Sequence, residues 1–239
     1  MKQVVYLLLV AAPMQVFAQE PFRANLFNSA DGRQNFSNYA TQAQVSIERK
    51  HFEQRPNTVG TQYLFTDWAK GTVVDTKGVS YETYMNYDKV GQNLYMKIKD
   101  DSSVVFVVDK EQIKYATLQG AGAACWLERV PALDKAKLYN RLAGGNKYAL
   151  YAFTKTKFIA ANYSSNGIVS SGNMYDEFKD ETTYYIVPAN GTAKEVLLKR
   201  KSINAALPSE KEKIELFFKN YEGEWDEKLL TELVNFLNL

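Results

Sequence analysis

A single histidine, His51, and a single cysteine, Cys125, limit the chemistry open to this chain. Zinc, copper and haem sites draw on clusters of such side chains, as do Ser-His-Asp and Cys-His catalytic arrangements. His51 lies in Arg49-Lys50-His51-Phe52, beside two cations and away from any nucleophile motif, and reads as a surface or strand-edge residue. Cys125 lies in Ala123–Leu127 (AACWL) and reads as a small buried hydrophobe in a strand rather than a reactive thiol, since no close cation lowers its pKa. With no second cysteine, it has no intrachain disulfide partner. The sequence therefore assigns no catalytic residue, no metal and no cofactor.

Carboxylates are plentiful, and three pairs are locally dense: Asp100-Asp101, Asp176-Glu177 and Asp180-Glu181. Glycoside hydrolysis uses two such groups roughly 5–10 Å apart in a cleft. Facing one another, these residues would make a histidine-independent hydrolase acting on envelope or extracellular saccharide, which is the alternative function. Their local context favours turns and solvated loop ends. Asp100-Asp101-Ser102 lacks the alternating ligands and final glutamate of a calcium loop. Gly120-Ala121-Gly122 lacks the further glycine or Gly-Lys-Ser/Thr of a phosphate loop, so it reads as a connector.

The positive compositional signal is aromatic: 16 tyrosines and 3 tryptophans. Aromatic side chains on a sheet face stack on sugars and peptides with little loss of entropy, although tyrosine is also an ordinary strand residue. Trp68, Tyr81, Tyr84, Tyr95 and Tyr163 are the binding candidates. The leading reading is a non-enzymatic binding or cell-envelope structural module. Its partner is a saccharide, a peptide or an envelope protein, met by an aromatic sheet face or by the loop Tyr163–Asn173. A formal net charge of +2 gives no electrostatic reason to expect nucleic acid.

The elements that must carry these residues begin after an export signal. Lys2, the apolar run Val4–Ala12, and Val16 and Ala18 at −3 and −1 mark residues 1–18 as a cleaved signal peptide, too short to span a bilayer. The mature chain then carries no transmembrane anchor and is periplasmic or extracellular. Residues 19–42 form a polar N-terminal arm dotted with Phe22, Phe27, Phe36 and Tyr39. Residues 43–239 form a single β-rich domain, opening with an ambiguous segment, Ala43–Phe52.

From Thr61 onward, short alternating runs separated by turns predict a mainly antiparallel meander forming a barrel- or sandwich-like domain. Asp75–Gly78 predicts a hairpin turn onto Val79–Tyr87, where Val79, Tyr81, Thr83, Met85 and Tyr87 share a face opposite Ser80, Glu82, Tyr84 and Asn86. Val104–Val108 reads as a central buried strand. Asn190-Gly191 predicts another hairpin. Two C-terminal helices close the domain over about residues 202–239. One opens on a Ser209-x-x-Glu212 capping box, and the other is capped by Asp226 and striped with Leu229, Leu230, Leu233, Val234 and Leu237.

The stretch Gly60–Trp68 (GTQYLFTDW), Gly71–Val74, Asn86–Asp88, Thr183–Val187 with Asn190-Gly191, and the tail Leu233–Asn238 (LVNFLN) together resemble small exported β-rich proteins of Bacteroidota. The resemblance implies a bacterial cell-envelope setting, a β-rich body and C-terminal helices. It carries no activity and no site.

Overall fold

Tight turns connect most of the strands in the computed structural model, which describes residues 57–97, 105–120 and 122–239. The expected signal peptide of residues 1–18, the expected arm of residues 19–42, Ala43–Phe52 with His51, and Asp100-Asp101 lie outside the described residues. Strand β1 is Thr58–Val59, β2 Ala69–Asp75, β3 Ser80–Asp88, β4 Asn93–Lys97 and β5 Phe106–Val107. Next come β6 Ile113–Gly120, β7 Ala123–Arg129, β8 Leu138–Gly144 and the long β9 Tyr148–Ile159. The short pair β10 Ser164–Ser165 and β11 Ser170–Ser171 precedes β12 Asp176–Pro188 and β13 Lys194–Val196.

The turn between β2 and β3 illustrates the local logic. Gly78 takes φ +86°, and Asp75 Oδ1 accepts from the Lys77 and Val79 amides, so the predicted turn closes as expected.

Eleven strands form one mostly antiparallel sheet in the order β1-β12-β9-β8-β7-β6-β2-β3-β4-β5, with β13 beside β12. The exception to antiparallel pairing is β1, which runs parallel to β12. After β1 at one end of the sheet, the chain crosses to β2, lays β3 to β5 outward on one side of it, then returns to lay β6 to β9 and β12 on the other. The sheet is not closed, which corrects the barrel or sandwich expectation. Its ends, β1 and β5, are two residues each and do not pair with one another.

The apolar face finds other cover. Val73, Met85, Leu94, Ile113, Leu118 and Leu127 form one core on it, and Leu150, Ile186 and Val196 form a second beneath the helices. Because the helices bury that second region, the sheet need not close to remove it from water.

The sheet nevertheless curls toward this face. At the turn between β3 and β4, the buried Lys89 extends its Nζ to Asp180 on β12, 2.9 Å from Oδ1 and 2.7 Å from Oδ2. The Lys89 carbonyl accepts from the Thr156 amide of β9, and Gln92 Nε2 donates to the Thr154 carbonyl. In ladder order β3 and β9 stand far apart, so only strong curvature brings this turn to the β9–β12 hairpin.

Three helices follow the sheet rather than two: α1 Arg200–Ala206, α2 Lys211–Asn220 and α3 Glu227–Leu237. Ser209 does not cap α2. Pro208–Glu210 already forms a 3-10 turn, so the serine sits inside a helical turn instead of ahead of one. Asp226 does cap α3, its Oδ1 accepting from Lys228 and Leu229 amides, and all five stripe residues of that helix are fully buried.

Two further expectations change. The described part of the Val104–Val108 run, Val105–Val108, is not central: its strand, β5, is the two-residue edge, although Val105 and Val108 beside it are buried. The Tyr163–Asn173 loop is a projecting ribbon, with β10 and β11 paired across its tip. Among the described residues, no helix is long and apolar enough to cross a membrane.

Candidate binding groove

The face turned away from the core carries the other half of each alternation. Register places Thr72 of β2 opposite Glu82 of β3 and Thr117 of β6, and Thr117 opposite Trp126 of β7. One step along, Lys70 stands opposite Tyr84 and Gln119, and Gln119 opposite Ala124. These two rows, with Arg141 of β8, line an open groove of about 600 Å³. Small side chains (Thr72, Thr117 and Ala124) lie over the central strands. Long ones (Tyr84 and Lys70 on one flank, Trp126 and Arg141 on the other) rise at the edges.

The flanks are braced. Trp126 is 37% exposed, and its indole stacks on Tyr115, with ring centroids 4.7 Å apart and planes at 28°. The Arg141 guanidinium lies 5.6 Å from the Trp126 ring centroid, within cation–π range. On the opposite flank, Lys70 Nζ lies 5.8 Å from the Tyr84 ring centroid. Beyond Arg141 the same face is covered: Tyr139 and Tyr151 are buried in a third cluster with Val130, which bounds the groove on that side.

Cys125 borders the groove through its strand, but its thiol donates to Asn140 Oδ1 at 3.2 Å. Burial pushes that thiol up to about 12, so it stays protonated and unreactive at physiological pH, in keeping with the buried hydrophobe read from its neighbours.

Of the five aromatic candidates, only Tyr84 lines the groove. Tyr81 is 6% exposed and shares the core side of β3 with Met85. Tyr95 is half-buried on β4 opposite Asn86, where burial and then the nearby Asp88 raise its hydroxyl pKa. Trp68 is half-buried under Lys97, whose Nζ lies 4.8 Å from the ring centroid. Tyr163 is exposed on the projecting ribbon, its hydroxyl 3.1 Å from Ser170 Oγ.

Asn86, on the face opposite Met85, is fully buried. Its amide donates to the Phe65 and Asp67 carbonyls, tying the preceding segment to β3. None of Asp176, Glu177, Asp180 or Glu181 lines the groove. Asp180 is held by Lys89, Glu181 pairs with Lys157 at 2.7 Å, and Asp176 accepts from the Ala161 amide. Among the described residues, no three His, Cys, Asp or Glu side chains gather as a metal site would require.

Trp126, Arg141, Lys70 and Gln119 escaped sequence reasoning. The alternation Ala124, Trp126, Glu128 against Cys125, Leu127 puts the indole on the outer face. The sequence reading rests on Cys125, the buried residue of this run, and leaves the outer face of the strand unassigned.

Chemically, the groove offers one flat exposed indole, a phenol ring, two cations, one carboxylate and several hydroxyl and amide groups. It contains one carboxylate, Glu82, where acid–base hydrolysis of a glycoside uses two. A scan against protein-family models, a search of curated proteins and a search of solved structures each find no match to the chain.

Proposed function

We propose that this protein is an exported, non-enzymatic saccharide-binding module of the bacterial cell envelope, and that the outer-face groove is its binding site. The observation that carries the reading is Trp126, a partly exposed indole held flat by Tyr115 beside a floor of Thr72, Thr117 and Gln119. A sugar ring has an apolar face suited to such a platform and a rim of hydroxyls that need donors and acceptors together.

A peptide fits less well. Extended peptides join sheets at edges, where backbone groups are free, whereas this groove lies over β2, β3, β6 and β7, whose backbones are engaged on both sides. The envelope setting draws on the signal sequence of residues 1–18 and on the resemblance to exported Bacteroidota proteins.

The test is a thermal-shift screen of Gln19–Leu239 against glycans, with Trp126→Ala beside the native chain. A glycan at about 100 times its dissociation constant stabilises the fold by ~2.7 kcal/mol, a readable shift. Trp126→Ala is expected to weaken that glycan roughly tenfold or more while leaving the unliganded midpoint nearly unchanged. A hit whose affinity ignores Trp126 would move the site elsewhere, and a screen with no glycan hit would remove the saccharide reading.

A further inference from the structure

We infer that the saccharide taken by this groove is acidic, an oligosaccharide carrying carboxylate groups along its length. The inference rests on the saccharide reading above and adds the charge of the ligand to it.

The groove holds two cations, Lys70 and Arg141, against one carboxylate, Glu82. Lys70 is exposed and has Tyr84 and Gln119 as its direct cross-strand neighbours, so no acid stands opposite it. Among the described residues it makes no ion pair. Arg141 has a carboxylate neighbour, Glu128, but at 3.6 Å from Nη1 to Oε2 the contact is longer than a charge-assisted hydrogen bond. That same Glu128 oxygen also receives the Tyr151 hydroxyl, at 3.4 Å. The guanidinium fork, stacked beside Trp126, therefore keeps donors to offer a planar carboxylate.

Spacing indicates an extended ligand. Lys70 is on β2 and Arg141 on β8, with β6 and β7 between, which is three strand spacings of about 4.8 Å, or roughly 14 Å. A chain of uronic acid units can place one carboxylate at each end of the groove while a ring between them lies on Trp126.

The experiment compares short oligomers of galacturonate, of mannuronate and of glucuronate-containing chains with the same oligomers methyl-esterified, which keeps the shape and removes the charge. Affinity is read by calorimetry at about 50 mM and about 300 mM salt. At least one acid is expected to bind roughly tenfold tighter than its ester at low salt, with the gap narrowing at high salt. Lys70→Gln and Arg141→Gln should each weaken the acid more than the ester, drawing the two affinities together. Trp126→Ala should weaken acid and ester together. Both charge variants alter solvent-reaching side chains, and their unfolding midpoints check that the fold persists.

Equal binding of acid and ester, or binding confined to neutral glycans, overturns the acidic assignment and leaves the saccharide reading standing. Binding of no glycan, acidic or neutral, overturns both.

Discussion

Gly71 has no side chain because its neighbours already fill the space one would take. A Cβ there would overlap the Thr117 carbonyl oxygen and Met85 Cε, in the strand pair that floors the groove. Gly71→Ala should therefore destabilise the fold by about 1–3 kcal/mol, read as a lowered urea midpoint. An unchanged midpoint would mean that the β2–β6 pair yields without strain. Buried tyrosines make a second prediction at this scale. Burial is the largest cause lifting the hydroxyls of Tyr63, Tyr139 and Tyr151 to about 12 from an ordinary 10. For a group whose folded pKa is raised, the native state binds the extra proton. Its stabilisation is complete below pH 10 and is lost as pH climbs through 12. Each such tyrosine should lower stability by about 1.4 kcal/mol per pH unit inside that window. Absorbance of tyrosinate followed with the urea midpoint checks this. All the tyrosines ionising near pH 10 with no fall in midpoint would contradict it.

At the scale of elements, α3 is fastened at both ends. Asp226 satisfies two amides at its start, and beyond its last turn Asn238 reaches the β8–β9 connection. Asn238 Oδ1 accepts from the Lys147 and Tyr148 amides, and Nδ2 donates to the Tyr148 carbonyl. Asp226→Ala is expected to cost about 1 kcal/mol. Asn238→Ala should cost about 1–3 kcal/mol, because it strands backbone groups that are partly buried. A chemical-denaturation series would rank them, and an Asn238→Ala midpoint equal to the native one would show that water replaces the latch. The β9–β12 hairpin behaves differently. Its tip from Tyr163 to Asn173 is exposed throughout, with Ile168 92% exposed, and it adds nothing to any core cluster. Replacing that stretch by a two-residue Asn-Gly turn should leave the urea midpoint unchanged within about 0.5 kcal/mol. A larger loss would show that the ribbon supports the body.

Across the whole molecule, a clasp fastens the curled open sheet. Lys89 is buried and Asp180 is half-exposed, and their ion pair joins the β3–β4 turn to the β9–β12 hairpin. Asp180→Ala leaves an ammonium group buried without its counter-charge. Fully buried pairs lose about 3–5 kcal/mol when one partner is removed. Solvent reaches Asp180, so about 1–3 kcal/mol is expected here. Adding Lys89→Met to Asp180→Ala should recover most of the loss, since the remaining cost is an unpaired charge. A double variant as unstable as the single one would show that packing, not charge, holds the turn in place.

Much of the fold was legible locally. The Asp75–Gly78 and Asn190-Gly191 turns, the face shared by Tyr81, Thr83, Met85 and Tyr87, and the α3 stripe with its Asp226 cap all follow from short-range spacing, and all are present. The first helix was invisible: Arg200–Ala206 has no side-chain cap and no acid in its first turn, so nothing in its sequence announces a start. Centrality of a strand was equally hidden, as the edge position of Phe106–Val107 shows, because a run of apolar residues does not say what lies on either side of it. The groove was the least legible feature. Outward placement of Lys70, Tyr84, Thr117 and Trp126 is a period-two property that sequence alone determined. Their meeting around one space required β6 to return beside β2, and β7 and β8 to follow in a register that sets Thr117 opposite Trp126. That register depends on every turn and irregularity between Lys70 and Arg141. Side-chain direction is local, but neighbourhood across a sheet is settled only when the whole ladder is assembled.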